Sequence, residues 1–477
     1  MKRTAILISM LFILVAVKAQ ETWTLEKCIE HALSNNIQVK QQQLQIEGSK
    51  AELEQSKLTL LPSLNGFASH GYNYGKTVDR FTNDFATARV RSNNFYLSSS
   101  LTLFDGFQKV NQMRMNQANL QATRYDTDKF MDDISLNIAT AYLQILFYRE
   151  ALKTAQNQLQ ATELQVARLK KMVDAGALAQ GDLYNLEAQR ASESTAVVDA
   201  QNNLDLAYLT LTQMLDLPNS NGFEIEVPDL QLGEQPTLIA DPAHIYDYAL
   251  ETQPSIKSAE FRMHSSEYGL MLAKGSQSPT LTFQASVGTG YSGAAQIYNY
   301  SIGNPVMIGY TRNAFGMLAD SVFAPSVNTT SSTKPFKDQI NDNINKSLAF
   351  NLNVPIFNGW STRTSISKAK INLENSKYNL DLSKLQLRKT IEQSYADAKA
   401  ALNKFQSSKS AVDAAKESFR YAEQKFNVGL SNSVDYNNAK KEFEKAESGL
   451  LQSRYEFIFK TTVLDFYMGK PISLQRK

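Results

Sequence analysis

Two carboxylates stand in the same local setting far apart in the chain. Asp182 lies six residues after Gly176 and three before Asn185; Asp435 lies six after Gly429 and three before Asn438. Carboxylates gathered near one axis would make a mouth that favours cations and raises the barrier to anions. An Asp in this position can instead N-cap a following helix, and the two roles can coexist. Few other residues have a spacing that carries chemistry. Gly288-Thr289-Gly290-Tyr291-Ser292-Gly293 has the form GxGxxG, but no helical pattern follows it, so no dinucleotide site is expected. Cys28 and His31 are three apart on a short predicted helix, where packing is expected rather than metal binding. His70, His244 and His264 have no partners at catalytic spacing, and P-loop, nucleophile-elbow and HExxH motifs are absent. The expectation is a protein without enzyme activity, metal or cofactor.

The two Asp settings belong to a duplicated unit. Leu101-Thr102-Leu103-Phe104-Asp105-Gly106-Phe107 matches Val354-Pro355-Ile356-Phe357-Asn358-Gly359-Trp360 at an offset of 253, which also aligns Tyr142 with Tyr395 and Pro218 with Pro471. Earlier in each half the offset is 217, pairing Pro62 with Pro279. The difference falls in 292–346, a stretch rich in Asn, Ser, Gly and Tyr that reads as a long loop. The first repeat spans 20–218: helices, strands at about 63–76 and 94–104, a long helix at about 106–173, a tip at 174–182 and a helix at 183–215. A linker covers 219–243. The second repeat, 244–472, has strands at about 280–291 and 347–356, a long helix at about 360–426, a tip at 427–435 and a helix at 436–468. Residues 473–477 form a tail.

Periodicity supports these elements. Ile134, Ile138, Ala141, Ile145, Tyr148, Leu152, Ala155, Leu159, Val166, Leu169 and Val173 alternate at spacings of four and three, with Thr162 the polar member of this heptad seam. Ile391, Ala398, Phe405, Val412, Phe419 and Phe426 recur every seven residues in the second half. Helices this long need neighbours along their length. Gly176 and Gly429 are placed to end the long helices in a left-handed conformation. In the strands, Phe95, Leu97, Leu101 and Leu103 alternate with Tyr96, Ser98, Ser100 and Thr102; Leu348, Phe350, Leu352, Val354 and Ile356 alternate with Ala349, Asn351 and Asn353. Strands of about ten residues with this alternation fit a membrane β-strand, and equally a half-buried sheet in a soluble sandwich. Tyr and Phe near the strand ends fit aromatic girdles.

Composition alone points to a soluble protein. Of 477 residues, 43% are hydrophobic and 20% charged, and no run after residue 20 offers 18 consecutive apolar residues. A net charge of +2 provides no field for nucleic acid, and one cysteine excludes an intrachain disulfide. The N-terminus changes the picture. Lys2 and Arg3, an apolar stretch over 4–17 and Val17-Lys18-Ala19 read as a signal peptide over 1–19. Cys28 follows Leu25-Glu26-Lys27, which is no lipobox. Four strands cannot close a barrel, since single-chain barrels begin at about eight, and open edges are not tolerated in lipid. Strands lying in a membrane must therefore be pooled. Three chains would supply 12 strands and 12 helical columns around a wet lumen.

The sequence resembles the TolC family of outer-membrane efflux and secretion channels. The residues that carry the likeness are Leu60-Leu61-Pro62-Ser63-Leu64, Pro355-Ile356-Phe357-Asn358-Gly359, and Val428-Gly429-Leu430-Ser431 followed by Val434-Asp435. The likeness implies a fold that is mainly α with a membrane β part, internally duplicated. It implies a homotrimer, a 12-stranded β-barrel continued by a long periplasmic α-helical coiled-coil barrel. An equatorial zone would be built from helix 24–35, the linker and the C-terminal segment. It also implies residence in the bacterial outer membrane with a large periplasmic portion. The implied partners are outer-membrane lipid, a periplasmic adaptor (membrane fusion) protein and an inner-membrane pump of RND or ABC type, with no nucleic acid. Small molecules or secreted proteins would pass outward. Asp182, Asp435, Asn185 and Asn438 would form the tip constriction; Gly176, Gly429, Leu430 and Ser431 the adaptor contact; Pro62, Gly106, Pro279, Pro355 and Gly359 the strand–helix junctions. Departures are visible. Thr102 replaces a usual Pro, and Phe107 and Trp360 replace a common second Gly. Ser431 and Phe426 stand where the family's namesake member has an Arg and a Tyr involved in holding its closed gate. The alternative reading is a soluble periplasmic coiled-coil adaptor or scaffold.

Overall fold

The computed structural model describes residues 22–79, 81–86, 89–176, 178–218, 222–228 and 241–473. The expected signal peptide, most of the linker and the end of the tail lie outside the described residues. In chain order the helices are α1 (Leu25–Asn35), α2 (Ile37–Leu58), α3 (Gln108–Asp174), α4 (Gln180–Met214), α5 (Pro242–Thr252), α6 (Pro254–Gly275), α7 (Phe336–Asp342), α8 (Ser361–Asn427) and α9 (Ser433–Tyr467). Lengths of 11, 22, 67 and 35 residues in α1, α2, α3 and α4 recur in α5, α6, α8 and α9. The starts of the first two pairs differ by 217 and those of the last two by 253, the offsets read from the sequence. The chain folds into two compact units. One holds the residues up to Ala51, Asn116–Ser266 and Ile371 onward; the other holds Glu52–Met115 and Glu267–Lys370.

The first unit is helical, and its cores follow the heptad seams. Ile138, Tyr142, Ile145 and Leu146 of α3 are buried against Leu25, Cys28 and Ala32 of α1, with Leu211 of α4 and Ile458 of α9. Each buried Leu or Ile among them contributes roughly 1.5–3 kcal/mol. The described part of the linker joins this core. Ile225 bridges Trp23, and the Tyr142 hydroxyl donates to the carbonyls of Trp23 (3.1 Å) and Glu226 (2.6 Å). A second core repeats the theme with Ile245 and Ala249 of α5, Ile256 of α6, Leu387, Ile391 and Ala398 of α8, and Leu464 of α9. A third joins Val166 and Leu169 of α3 to Leu183 and Leu186 of α4.

The second unit carries the strands β1 (Ser63–Asn73), β2 (Thr77–Val78), β3 (Phe85–Ala86), β4 (Val90–Phe104), β5 (Thr280–Ser292), β6 (Gln296–Ile302), β7 (Val306–Arg312), β8 (Leu318–Ala324), β9 (Val327–Thr333) and β10 (Asn345–Asn353). Its main sheet is antiparallel in the order β1-β4-β5-β10, so the four expected strands do lie side by side. The register sorts the side chains. Leu97, Leu101, Phe283, Val287, Leu348, Phe350 and Leu352 share one face; Ser98, Ser100, Thr282, Gln284, Ser286 and Asn351 share the other. A shift between Thr102 and Phe104 takes Leu103 out of the expected alternation. The apolar face is bare in the single chain, with Leu348 74% and Phe350 68% exposed. The sheet therefore lacks the second layer that a soluble sandwich requires.

Several expected boundaries move. β1 stops at Asn73 rather than 76, β4 begins at Val90 rather than 94, and β10 ends at Asn353, short of Pro355, which has no N–H for a ladder. The expected long loop over 292–346 is largely ordered. β6 pairs with β9 and β7 with β8 inside it, making a nested two-stranded ribbon, followed by α7.

Candidate functional site at the helix tips and strand–helix junctions

Each tip is a helix end, a glycine and a new helix. Gly176 and Gly429 have φ of +75° and +76°, the left-handed conformation that glycine adopts without a Cβ penalty. At the second tip the N–H of Leu430 reaches the Lys425 carbonyl (2.8 Å) and that of Gly429 the Phe426 carbonyl (3.1 Å), a Schellman pair that satisfies the last turn of α8. Neither Asp is an N-cap, and this corrects the capping expectation. Residue 179 precedes α4 without a side-chain cap, and Asn432 caps α9 by accepting the Asp435 N–H at 2.8 Å. Both helices begin three residues earlier than expected, which puts Asp182 and Asp435 at the third helical position. There the unsatisfied N–H groups and the helix dipole favour negative charge. Asn185, Asp435 and Asn438 are exposed and Asp182 is half-buried.

The two tips are coupled but differ in apolar exposure. Phe426 packs on the core of Val166, Leu169, Leu183 and Leu186, and Arg168 donates to Asn427 Oδ1 (2.8 Å). Phe426 also stacks on Tyr436 at 4.9 Å, and burial pushes the Tyr436 hydroxyl up to about 12. Leu178 of the first tip turns into this core, whereas Leu430 is 79% exposed, with Val428 and Val434 exposed beside it. Ser431 Oγ lies 3.4 Å from Asp435 Oδ2.

A charged cluster above the tips escaped the sequence reading. The Lys440 ammonium of α9, buried, donates to Glu193 Oε1 of α4 (2.9 Å) and to the Thr162 hydroxyl of α3, with Glu444 Oε1 at 3.4 Å. Burial raises the Glu444 carboxyl against the opposing pull of Lys440. Thr162 was the one available signal: a polar residue in an apolar seam marks a polar partner across it.

The junctions repeat in backbone as well as in sequence. Gly106 and Gly359 have φ of +68° and +62°, and the residues after them, Phe107 and Trp360, have +62° and +68°. A second glycine would take this conformation freely; here two aromatics hold it. Gly106 lies against Gly275 and Ser278, so a Cβ there would collide with the Gly275 carbonyl, while the space at Gly359 is open. Pro62 and Pro279 stand one residue before β1 and β5, and Pro355 stands two after β10. The GxGxxG glycines serve packing. A Cβ at Gly290 would strike the Phe81 ring, and Gly288 lies against Tyr96. Cys28 is fully buried in the first core, and burial pushes its thiol up to about 12. Among the described residues no group of three or more His, Cys, Asp and Glu is gathered closely enough to hold a metal.

A chain that twice runs from helices into a pair of membrane-type strands and back into long helices defines a protomer of an outer-membrane channel. The chain belongs to the outer membrane efflux protein family, whose profile matches residues 28–216 and 245–470. It is 23% identical over 412 residues to the outer membrane protein TolC of Escherichia coli (strain K12), covering 85% of this chain and 74% of that one. It is 19% identical over 437 residues to the outer membrane efflux protein BepC of Brucella suis biovar 1 (strain 1330), covering 91% and 83%. The fold matches a crystal structure of CusC with a TM-score of 0.74 at 16% identity, over 94% of this chain and 92% of that one. The protein is an exit channel of the outer membrane serving efflux or secretion, and the soluble-scaffold alternative is not favoured.

Proposed function

We propose that the protein works as a homotrimeric exit duct. Three copies pool their sheets into a 12-stranded barrel and their helical hairpins into a periplasmic coiled-coil barrel. The tips receive a periplasmic adaptor that links them to an inner-membrane pump of RND or ABC type. The observation that carries this reading is the main sheet. One face is apolar and bare, the other polar, and among the described residues both edge strands, β1 and β10, are unpaired along their outer sides. Lipid can cover such a face, but unpaired backbone edges in lipid are costly, so other copies must complete the ladder. A wet lumen then lies behind Ser98, Thr282, Gln284 and Asn351.

Leu430, with Gly429 and Ser431, forms the adaptor contact of the second tip, supported by its exposure; Gly176 marks the first. Asp182 and Asp435, backed by Asn185 and Asn438, line the constriction, supported by their equivalent third helical positions. The pump supplies energy and selects the cargo, small molecule or secreted protein. In the test, the protein is extracted from outer membranes in mild detergent. Trimers that dissociate on heating, and conductance steps in planar bilayers, are expected. A detergent-free soluble monomer without conductance would overturn the proposal.

A further inference from the structure

The ribbon β6–β9 with β7–β8 is the part of the strand unit that the duct does not use. It is firmly rooted. Gln339 of α7 donates to the Ser292 carbonyl (2.9 Å) and accepts the Ser292 N–H (2.8 Å), and Lys334 N–H closes on Ala295 O at 2.8 Å. Beyond that base the ribbon strands pair with each other and with no other strand among the described residues. Tyr298, Tyr300, Ile302 and Val327 share one face and are exposed, Ile302 by 84%, while Asn299, Ser301, Asn328 and Thr330 share the other. The far turn exposes Phe315 by 86%. Between Gln296 and Thr333 the only charges are Arg312 and Asp320. An isolated two-stranded ribbon is marginal in water, and an aromatic face this bare is normally covered.

The backbone decides what covers it. Both ribbon edges carry unpaired N–H and C=O groups, which excludes immersion in hydrocarbon. One Arg gives little attraction to anionic headgroups. A second copy answers both needs, since an identical ribbon offers an apolar face and a free edge. Topology also delivers it. The ribbon leaves between β5 and β10, at the ends of these strands away from Pro279 and Pro355, and β10 is the edge that must meet the next copy. Every copy that closes the barrel brings its ribbon to the same rim. We propose that ribbons of neighbouring copies pack on one another through Tyr298, Tyr300, Ile302 and Val327, forming a clasp beyond the strand ends that lie away from Pro279 and Pro355. This inference rests on the trimeric reading.

The test places a photo-crosslinking benzoylphenylalanine at Tyr300 or Phe315 in the full chain in whole cells. It is run beside an edge pair, Leu64→Cys with Leu352→Cys in a Cys28→Ala background, that reports β1 of one copy meeting β10 of the next. Ribbon crosslinks between copies, mapped to 296–333, are expected together with edge disulfides. Edge disulfides with ribbon crosslinks absent, or formed only to lipid or another protein, would overturn the clasp and leave the trimer standing. Loss of both would overturn the trimer itself.

Discussion

Residue conformation at the junctions sets local stability. Gly106 and Gly359 share a left-handed backbone, yet only Gly106 is hemmed in by Gly275 and Ser278. Gly359→Ala is expected to cost about 1–2 kcal/mol through backbone strain alone, and Gly106→Ala clearly more, read as the lower melting temperature in detergent. Gly106 and Gly359, with Pro62, Pro279 and Pro355, were readable as junction residues in the sequence. The tight approach of Gly275 to Gly106 was not, because these residues come from elements far apart in the chain. Asp132 offers a test with pH. Burial, then Asp128 and Asp133, push its carboxyl up to about 6. A raised acid binds its proton more tightly when folded. The resulting penalty is absent below the unfolded value of about 4 and grows as pH rises to about 6. Asp132→Asn should therefore stabilise the protein above pH 6, by about 1 kcal/mol once solvent screening is allowed for, and leave it unchanged near pH 4. A gain independent of pH in thermal melts would contradict this.

Element packing explains the one polar step in the long seam. Thr162 sits where apolar side chains precede and follow it, and the Lys440 ammonium reaches it across the interface while pairing with Glu193. Removing the cation alone leaves the buried Glu193 carboxylate, which keeps the Gln189 amide at 2.8 Å, and the half-buried Glu444 carboxylate without their counter-charge. Lys440→Met should thus destabilise the helical unit by about 3–5 kcal/mol, whereas replacing Lys440, Glu193 and Glu444 together by apolar residues should be near neutral. Unfolding followed by helix circular dichroism separates the two outcomes. The seam itself was legible because a period of seven needs no long-range information. The cluster was not, since Thr162, Glu193 and Lys440 lie on three helices and a charged residue in a polar-rich helix looks like any surface charge. The ribbon over 296–333 was read as loop for a related reason. Its short alternating run, Tyr298 to Ile302, sits among Gly, Asn, Ser and Thr, and its register comes from nested pairing rather than from a core.

At the scale of the whole molecule, one chain holds a third of the proposed duct. In that proposal the tip residues converge only when copies meet. Asp182 and Asp435 occupy matching positions in the first turns of α4 and α9, so three copies would place six carboxylates around the mouth. Asp182→Ala combined with Asp435→Ala should lower cation preference in bilayer recordings several-fold. Unchanged reversal potentials would remove the constriction from the mechanism. A gate at the tips of the proposed duct would differ from a pairing through an Arg and a Tyr, since Ser431 and Phe426 stand at those positions. Phe426 packs into the tip core and onto Tyr436, and Ser431 lies beside Asp435, so the contacts available here are apolar stacking and the Arg168–Asn427 hydrogen bond.

By itself the sequence determined the duplication, the lengths of the long helices, the four strands and the glycine-marked tips. These are written in local period and punctuation, and burial of one face enforces them residue by residue. Only the tertiary structure decided which residues meet: Lys440 with Glu193 and Thr162, Gly106 with Gly275, Phe81 over Gly290, and the ribbon strands with each other. It also moved Asp182 and Asp435 from the cap to the first turn. Such contacts join segments distant in the chain, and their free energy comes from shape and desolvation in the packed molecule, which no local pattern contains.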